Sequence, residues 1–166
     1  MKINRLLFIS IASLLVIGCT SKESISQPKQ SKYTQSAPTS TASTGAVTQD
    51  VVKSGMFIPG EHTTSGAARI VTKNGKPFLE LDQSFKTSDN GPDLVVILHR
   101  SDNVLGSTKA PDYPIQQGDY VVIAPLKNFS GAQSYPIPDN INLFDYKSAG
   151  IWCRKFNATF GVATFK

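Results

Sequence analysis

Ala68-Arg69-Ile70-Val71-Thr72-Lys73-Asn74-Gly75-Lys76-Pro77-Phe78-Leu79-Glu80-Leu81 decides the fold class of this chain. Two short runs rich in branched and aromatic residues flank Asn74-Gly75, a dipeptide that accepts the positive φ angles of a tight hairpin turn. The segment therefore predicts two antiparallel strands joined by a two-residue turn. Working outward, the rest of the C-terminal two thirds is built the same way. Gly, Pro and Asn punctuate short β-rich runs, and no stretch keeps a helical period.

Asp93-Leu94-Val95-Val96-Ile97-Leu98 is almost entirely apolar and predicts a strand buried on both faces. Tyr120-Val121-Val122-Ile123-Ala124 reads the same way. Gln133-Ser134-Tyr135-Pro136-Ile137 predicts an edge strand, because Pro136 has no N–H for a ladder. Ile151 to Phe156 and Phe160 to Phe165 predict a closing pair. About eight strands over residues 51–166 are the content of an all-β domain, a single antiparallel sandwich-like or partly closed barrel fold. A domain of that length can bury a core without disulfides.

The other end is organised differently. Lys2 and Arg5 precede the uncharged apolar run Leu6 to Ile17, and Gly18 is small, the order of zones in an export signal. As a helix that run would reach roughly 18 Å, short of the ~30 Å hydrocarbon core, so a signal peptide over 1–18 is favoured over a membrane span. Val16-Ile17-Gly18-Cys19 resembles the bacterial lipobox, with Ile17 bulkier than the commonest residue at its position. The resemblance implies lipidation of Cys19 and attachment to membrane lipid, with each buried methylene contributing about 0.8 kcal/mol. Thr20 in place of Asp resembles the pattern of outer-membrane sorting. The expected location is extracytoplasmic, on the cell envelope.

Between the signal and the β domain, 19 of the 31 residues Thr20 to Asp50 are Ser, Thr, Gln or Pro, which is too polar to support a core. Residues 19–50 are thus expected to be a tether spanning about 30 Å.

Charge excludes one class of partner. Residues 51–166 hold 12 Lys and Arg against 10 Asp and Glu, and no basic cluster is interleaved with aromatics, so nucleic acid is not an expected partner. Gly-x-Ser-x-Gly, Cys-x-x-Cys and phosphate-loop motifs are missing from the chain. Asn128-Phe129-Ser130 and Asn157-Ala158-Thr159 match the glycosylation sequon, but a bacterial lipoprotein seldom meets that machinery.

Cysteine count directs attention to one residue. Cys19 is assigned to lipid, which leaves Cys153 as a thiol without an intrachain partner. Strand alternation puts Ile151, Cys153 and Lys155 on one face and Trp152, Arg154 and Phe156 on the other. Cys153 reads as a packed core residue, as a redox thiol or ligand, or as half of an intermolecular disulfide. His62, after the turn at Pro59-Gly60, reads as a structural donor or a ligand. His99 reads as a surface residue. Asp93 reads as a turn carboxylate bonding its own backbone, with pairing to Arg154 or His62 as the alternative. Two His, one Cys and Met56 invite a copper site, but neither His nor Met follows Cys153, so copper is disfavoured and no metal is assigned.

These residues fall into a recognisable pattern. Gly55-Met56-Phe57, His62-Thr63-Thr64-Ser65-Gly66-Ala67-Ala68 and Phe85-Lys86-Thr87-Ser88 begin it, and Asn90-Gly91-Pro92-Asp93-Leu94 continues it. Ser130 to Pro138, Ile151-Trp152-Cys153-Arg154-Lys155-Phe156 and Phe160-Gly161-Val162-Ala163 complete it. Together they resemble the DM-thirteen family, an extracytoplasmic β domain labelled an electron-transfer domain and found beside DOMON domains in Skeletor-type proteins. The resemblance covers essentially all of 53–166, with Asp89 as an added turn residue. It implies redox chemistry centred on Cys153, as a free thiol or as ligand to a prosthetic group such as haem, with a redox partner protein. Trp152 is expected to pack beside the thiol, with His62, Asp93 and Arg154 around it. The alternative is a non-enzymatic envelope domain that binds a protein or small ligand, with Cys153 merely structural.

Overall fold

The computed structural model describes residues 49–166. The expected signal peptide, Cys19 and nearly all of the tether lie outside the described residues. Among the described residues, no helix is long and apolar enough to cross a membrane.

Eight strands form one antiparallel sheet: β1 (Gln49–Pro59), β2 (Ala67–Lys73), β3 (Lys76–Leu81), β4 (Leu94–His99), β5 (Tyr120–Pro125), β6 (Gln133–Pro136), β7 (Ser148–Cys153) and β8 (Ala158–Thr164). Their order is β5-β4-β7-β8-β1-β2-β3-β6. The sheet curls until its two end strands nearly meet, giving the barrel alternative of the expected fold rather than two stacked sheets. At the seam the chain leaving β5 touches β6: the Lys127 N–H donates to Tyr135 Oη at 3.0 Å and Lys127 Nζ to the Ser134 carbonyl at 2.7 Å.

The hairpin that opened the reading is β2–β3. Asn74 (φ 51°) and Gly75 (φ 76°) both take positive φ, and Lys73 faces Lys76 across the turn. Strand β1 is what lets one sheet curl. It pairs with β2 along Gln49–Met56, with a bulge between Val51 and Lys53, and then with β8 along Phe57–Pro59. A bulged strand shared by two neighbours bends the sheet toward closure. Gln49 already belongs to the domain, its side-chain amide donating to Glu80 at 2.9 Å.

Side-chain alternation fills two cores. Leu94, Val96 and Leu98 of β4 point into the barrel with Ile70, Leu79, Phe85, Tyr135, Ile151, Cys153 and Phe160. Val95 and Ile97 point outward and are covered by residues 100–119, which contain the short helix α1 (Val104–Ser107). There they meet Val104, Ile115, Trp152 and Val162. Each such side chain stabilises the fold by about 1.5–3 kcal/mol when fully buried. The continuous apolar run of β4 is therefore buried on both faces, as expected.

Two expectations about strands need correction. Residues 120–124 are only half-buried, because β5 lies at one end of the sheet and pairs with β4 alone. The closing pair is also displaced: β7 ends at Cys153, and residues 154–157 form a turn. Arg154, Lys155 and Phe156 consequently do not continue the alternation of β7. The physical reason is Asn157, whose positive φ of 49° reverses the chain toward β8.

Candidate functional site

Cys153 ends β7 between Leu94 of β4 and Ala158 of β8. It is 0% exposed and belongs to the interior cluster of the barrel. Alternation places Ile151 on the same side and Trp152 on the opposite side of the sheet, in the second core, both as strand alternation predicts. The expected packing of Trp152 beside the thiol is therefore corrected. Lys155 is likewise not a same-face neighbour; it sits in the turn with its ammonium 5.6 Å from the Phe156 ring centre.

A prosthetic group at Cys153 would need space beside the sulfur and a further ligand or polar anchor. The interior is filled by Phe85, Tyr135, Phe160 and the aliphatic residues around them. Among the described residues, no three His, Cys, Asp or Glu side chains gather into a ligand set. The residues present do not fit a bound group at this sulfur. A thiol without solvent contact also cannot attack a partner's disulfide, which requires an accessible thiolate.

Directly outside Cys153, the two strand ends are clamped. Arg154 donates to Asp93 through Nε at 2.9 Å and Nη2 at 2.7 Å, and the Arg154 N–H donates to the Asp93 carbonyl at 3.1 Å. Asp93 thus takes the alternative role, pairing with Arg154 rather than bonding its own backbone. The hydrogen bond from Arg154 holds the Asp93 carboxyl below its ordinary range, and the same bond raises the guanidinium further. Because both side chains stand in solvent, the pair sets geometry more than stability.

His62 does not join this group. Its ring packs on Phe160 with centroids 4.2 Å apart, and its Nε2 lies 3.9 Å from Glu61. Met56 is 65% exposed on β1. Of the residues singled out from the sequence, the fold brings together Cys153, Asp93 and Arg154, and places His62, Trp152 and Met56 elsewhere.

His99 overturns its reading as a surface residue. It is 6% exposed, because residues 100–119 fold back over the end of β4. Its Nδ1 accepts the Ser101 N–H at 3.0 Å. Burial lowers its pKa from the ordinary value of 6.5, against a smaller opposing effect of Asp119. The sign follows directly. Between the lowered folded value and 6.5 the unfolded chain binds more protons, so the contribution of His99 to stability is whole above 6.5 and is lost as pH falls through that window. Denaturant midpoints should drop with acid across that window in wild type, and the drop should be smaller in His99→Asn. An identical pH profile in both would contradict the burial of this ring.

Asn157 was met in the sequence only as part of a sequon. Its Oδ1 accepts Trp152 Nε1 and the Ile115 N–H, both at 3.0 Å, and its Nδ2 donates to the Ile115 carbonyl at 3.2 Å. The one available signal was the tolerance of Asn for positive φ between two strand patterns.

Comparison with known proteins adds a single finding. The family model described as electron transfer DM13 matches residues 56–165. No curated protein and no solved structure matches the chain.

Proposed function

This chain belongs to the electron transfer DM13 family, and from that premise we propose that it is a lipid-anchored electron-transfer module of the cell envelope. The match over 56–165, nearly the whole barrel, carries the proposal. Lys2, Arg5, the apolar run Leu6 to Ile17 and Val16-Ile17-Gly18-Cys19 support export and lipidation at Cys19. In this proposal the redox role centres on Cys153 and requires the end of the barrel to open, since the thiol is buried in the closed fold and meets a redox partner protein only when exposed. Asp93 and Arg154 clamp the strand ends beside it.

A second reading is favoured by the complete burial of Cys153. Here the thiol is a small core side chain and the domain acts by binding at its surface. One set of measurements on the full chain separates the two. Metabolic fatty-acid labelling should mark wild type and not Cys19→Ala; equal labelling would remove the anchor. Under the redox reading, the native chain attacks an aromatic disulfide reagent, forming a mixed disulfide at Cys153 and releasing the reagent's thiolate, and Cys153→Ser abolishes that release. Under the packing reading, no thiolate is released from the reagent, maleimide labels Cys153 only in denaturant, and Cys153→Ser costs about 1–3 kcal/mol by burying an unpaired hydroxyl.

A further inference from the structure

We propose that the cleft over the end of β4 is a binding site for a small oxyanion, the chemistry of a carboxylate or of a sulfate or phosphate group. The cleft measures about 570 Å³ and is lined by His99, Arg100, Ser101, Lys109, Gln116 and Asp119, among others. It lies apart from Cys153 and does not depend on the redox reading.

His99 supplies the argument. The Ser101 N–H occupies Nδ1, so that nitrogen is an acceptor and the neutral ring carries its proton on Nε2. Nε2 bonds to no described residue. Yet among the described residues no side-chain nitrogen or oxygen is both buried and unpartnered, so Nε2 keeps some solvent contact, and His99 is one of the residues that line the cleft. A residue only 6% exposed thus holds one N–H donor fixed, and we assign that donor to the cleft that His99 lines. Protonating Nδ1 would set two donors against each other, which, with burial, keeps the ring in this donor form at neutral pH.

The other free hydrogens at the cleft agree with this. Ser101 Oγ accepts the Asn103 N–H, leaving its own hydrogen to donate. Lys109 has no ion-pair partner among the described residues. Arg100 spends Nε on the Gly118 carbonyl and Nη1 on Asp145, with Nη2 unassigned. Ser107 and Thr108, by contrast, both donate to the Val104 carbonyl and so frame the wall rather than compete as donors. Asp119, whose charge acts on His99, also lines the cleft and opposes an anion there, so binding requires Lys109 and the imidazole N–H to outweigh it.

The chain has two histidines, so imidazole resonances report the site directly. The full chain in detergent is titrated with sodium sulfate, and separately with sodium acetate, at constant ionic strength and about pH 7.5, where imidazole is neutral. The expected result is a saturable shift of the His99 ring signals with at least one probe, while His62 stays still. Sulfate alone assigns a tetrahedral anion and acetate alone a carboxylate. Lys109→Gln, at an exposed position, should raise the half-saturation concentration about tenfold, as expected for one lost charge-assisted contact. His99→Asn, titrated with the same anions by calorimetry, should show no saturable binding, and if that variant misfolds, Lys109→Gln decides. Linear shifts shared by both histidines, or a saturation that Lys109→Gln leaves unchanged, would overturn the site.

Discussion

Trp152→Ala is expected to lower the unfolding free energy by about 3–5 kcal/mol, the usual range for truncating a buried Trp. Trp152 is the centrepiece of the outer core. Its indole packs on Tyr120 with ring centroids 4.8 Å apart and shares a cluster with Val95, Ile97, Val104, Ile115 and Val162. Its Nε1–H holds Asn157 Oδ1, which in turn grips the backbone of Ile115. Removing the ring opens a cavity and also frees one end of the 100–119 segment. Trp152→Phe keeps most of the apolar area but loses the N–H, so about 1–2 kcal/mol is expected. Denaturant midpoints for both variants check the order. An Ala variant within 1 kcal/mol of wild type would mean that the loop does not seal this face. Because the same segment builds the His99 cleft, Trp152→Ala should also weaken oxyanion binding there, whereas Trp152→Phe should not.

Gly55→Ala is expected to cost about 3 kcal/mol, at the upper end for inserting one methyl group into a packed site. A Cβ at Gly55 would overlap the carbonyl of Thr164, and backbone cannot rotate away as a side chain can. The residue lies just before β1 leaves β2 for β8, and there the Lys166 N–H donates to the Ser54 carbonyl at 2.9 Å. Pushing β1 outward breaks the seam that closes β8 onto it. Gly75→Ala is the internal control. Gly75 has a positive φ but nothing within 4 Å of an added Cβ, so only the backbone term of about 1 kcal/mol remains. Thermal or chemical midpoints should rank Gly55→Ala well below Gly75→Ala. The reverse ranking would show that β1 is free to shift.

By itself the sequence determined the β class, the Asn74-Gly75 hairpin, the double burial of Leu94 to Leu98 and the edge character of Gln133 to Pro136. Each of those follows from period-two patterning or from turn chemistry, which acts over a few residues and is legible in one dimension. It also singled out Cys153 and the family to which the barrel belongs. Only the tertiary structure decided which way the remaining groups face. Strand β7 ends at Cys153 and the turn 154–157, closed by Asn157, carries Lys155 away from the thiol, whereas Trp152 stands across the sheet from Cys153 by the alternation already legible in the sequence. His99 is buried because residues 100–119 double back over the end of its strand, and Tyr120 to Ala124 stay half-exposed because β5 has one neighbour. Apolar runs and lone polar residues carry no mark of the loop that will cover them. Burial of that kind is set by contacts between segments far apart in the chain, and local pattern has no term for them.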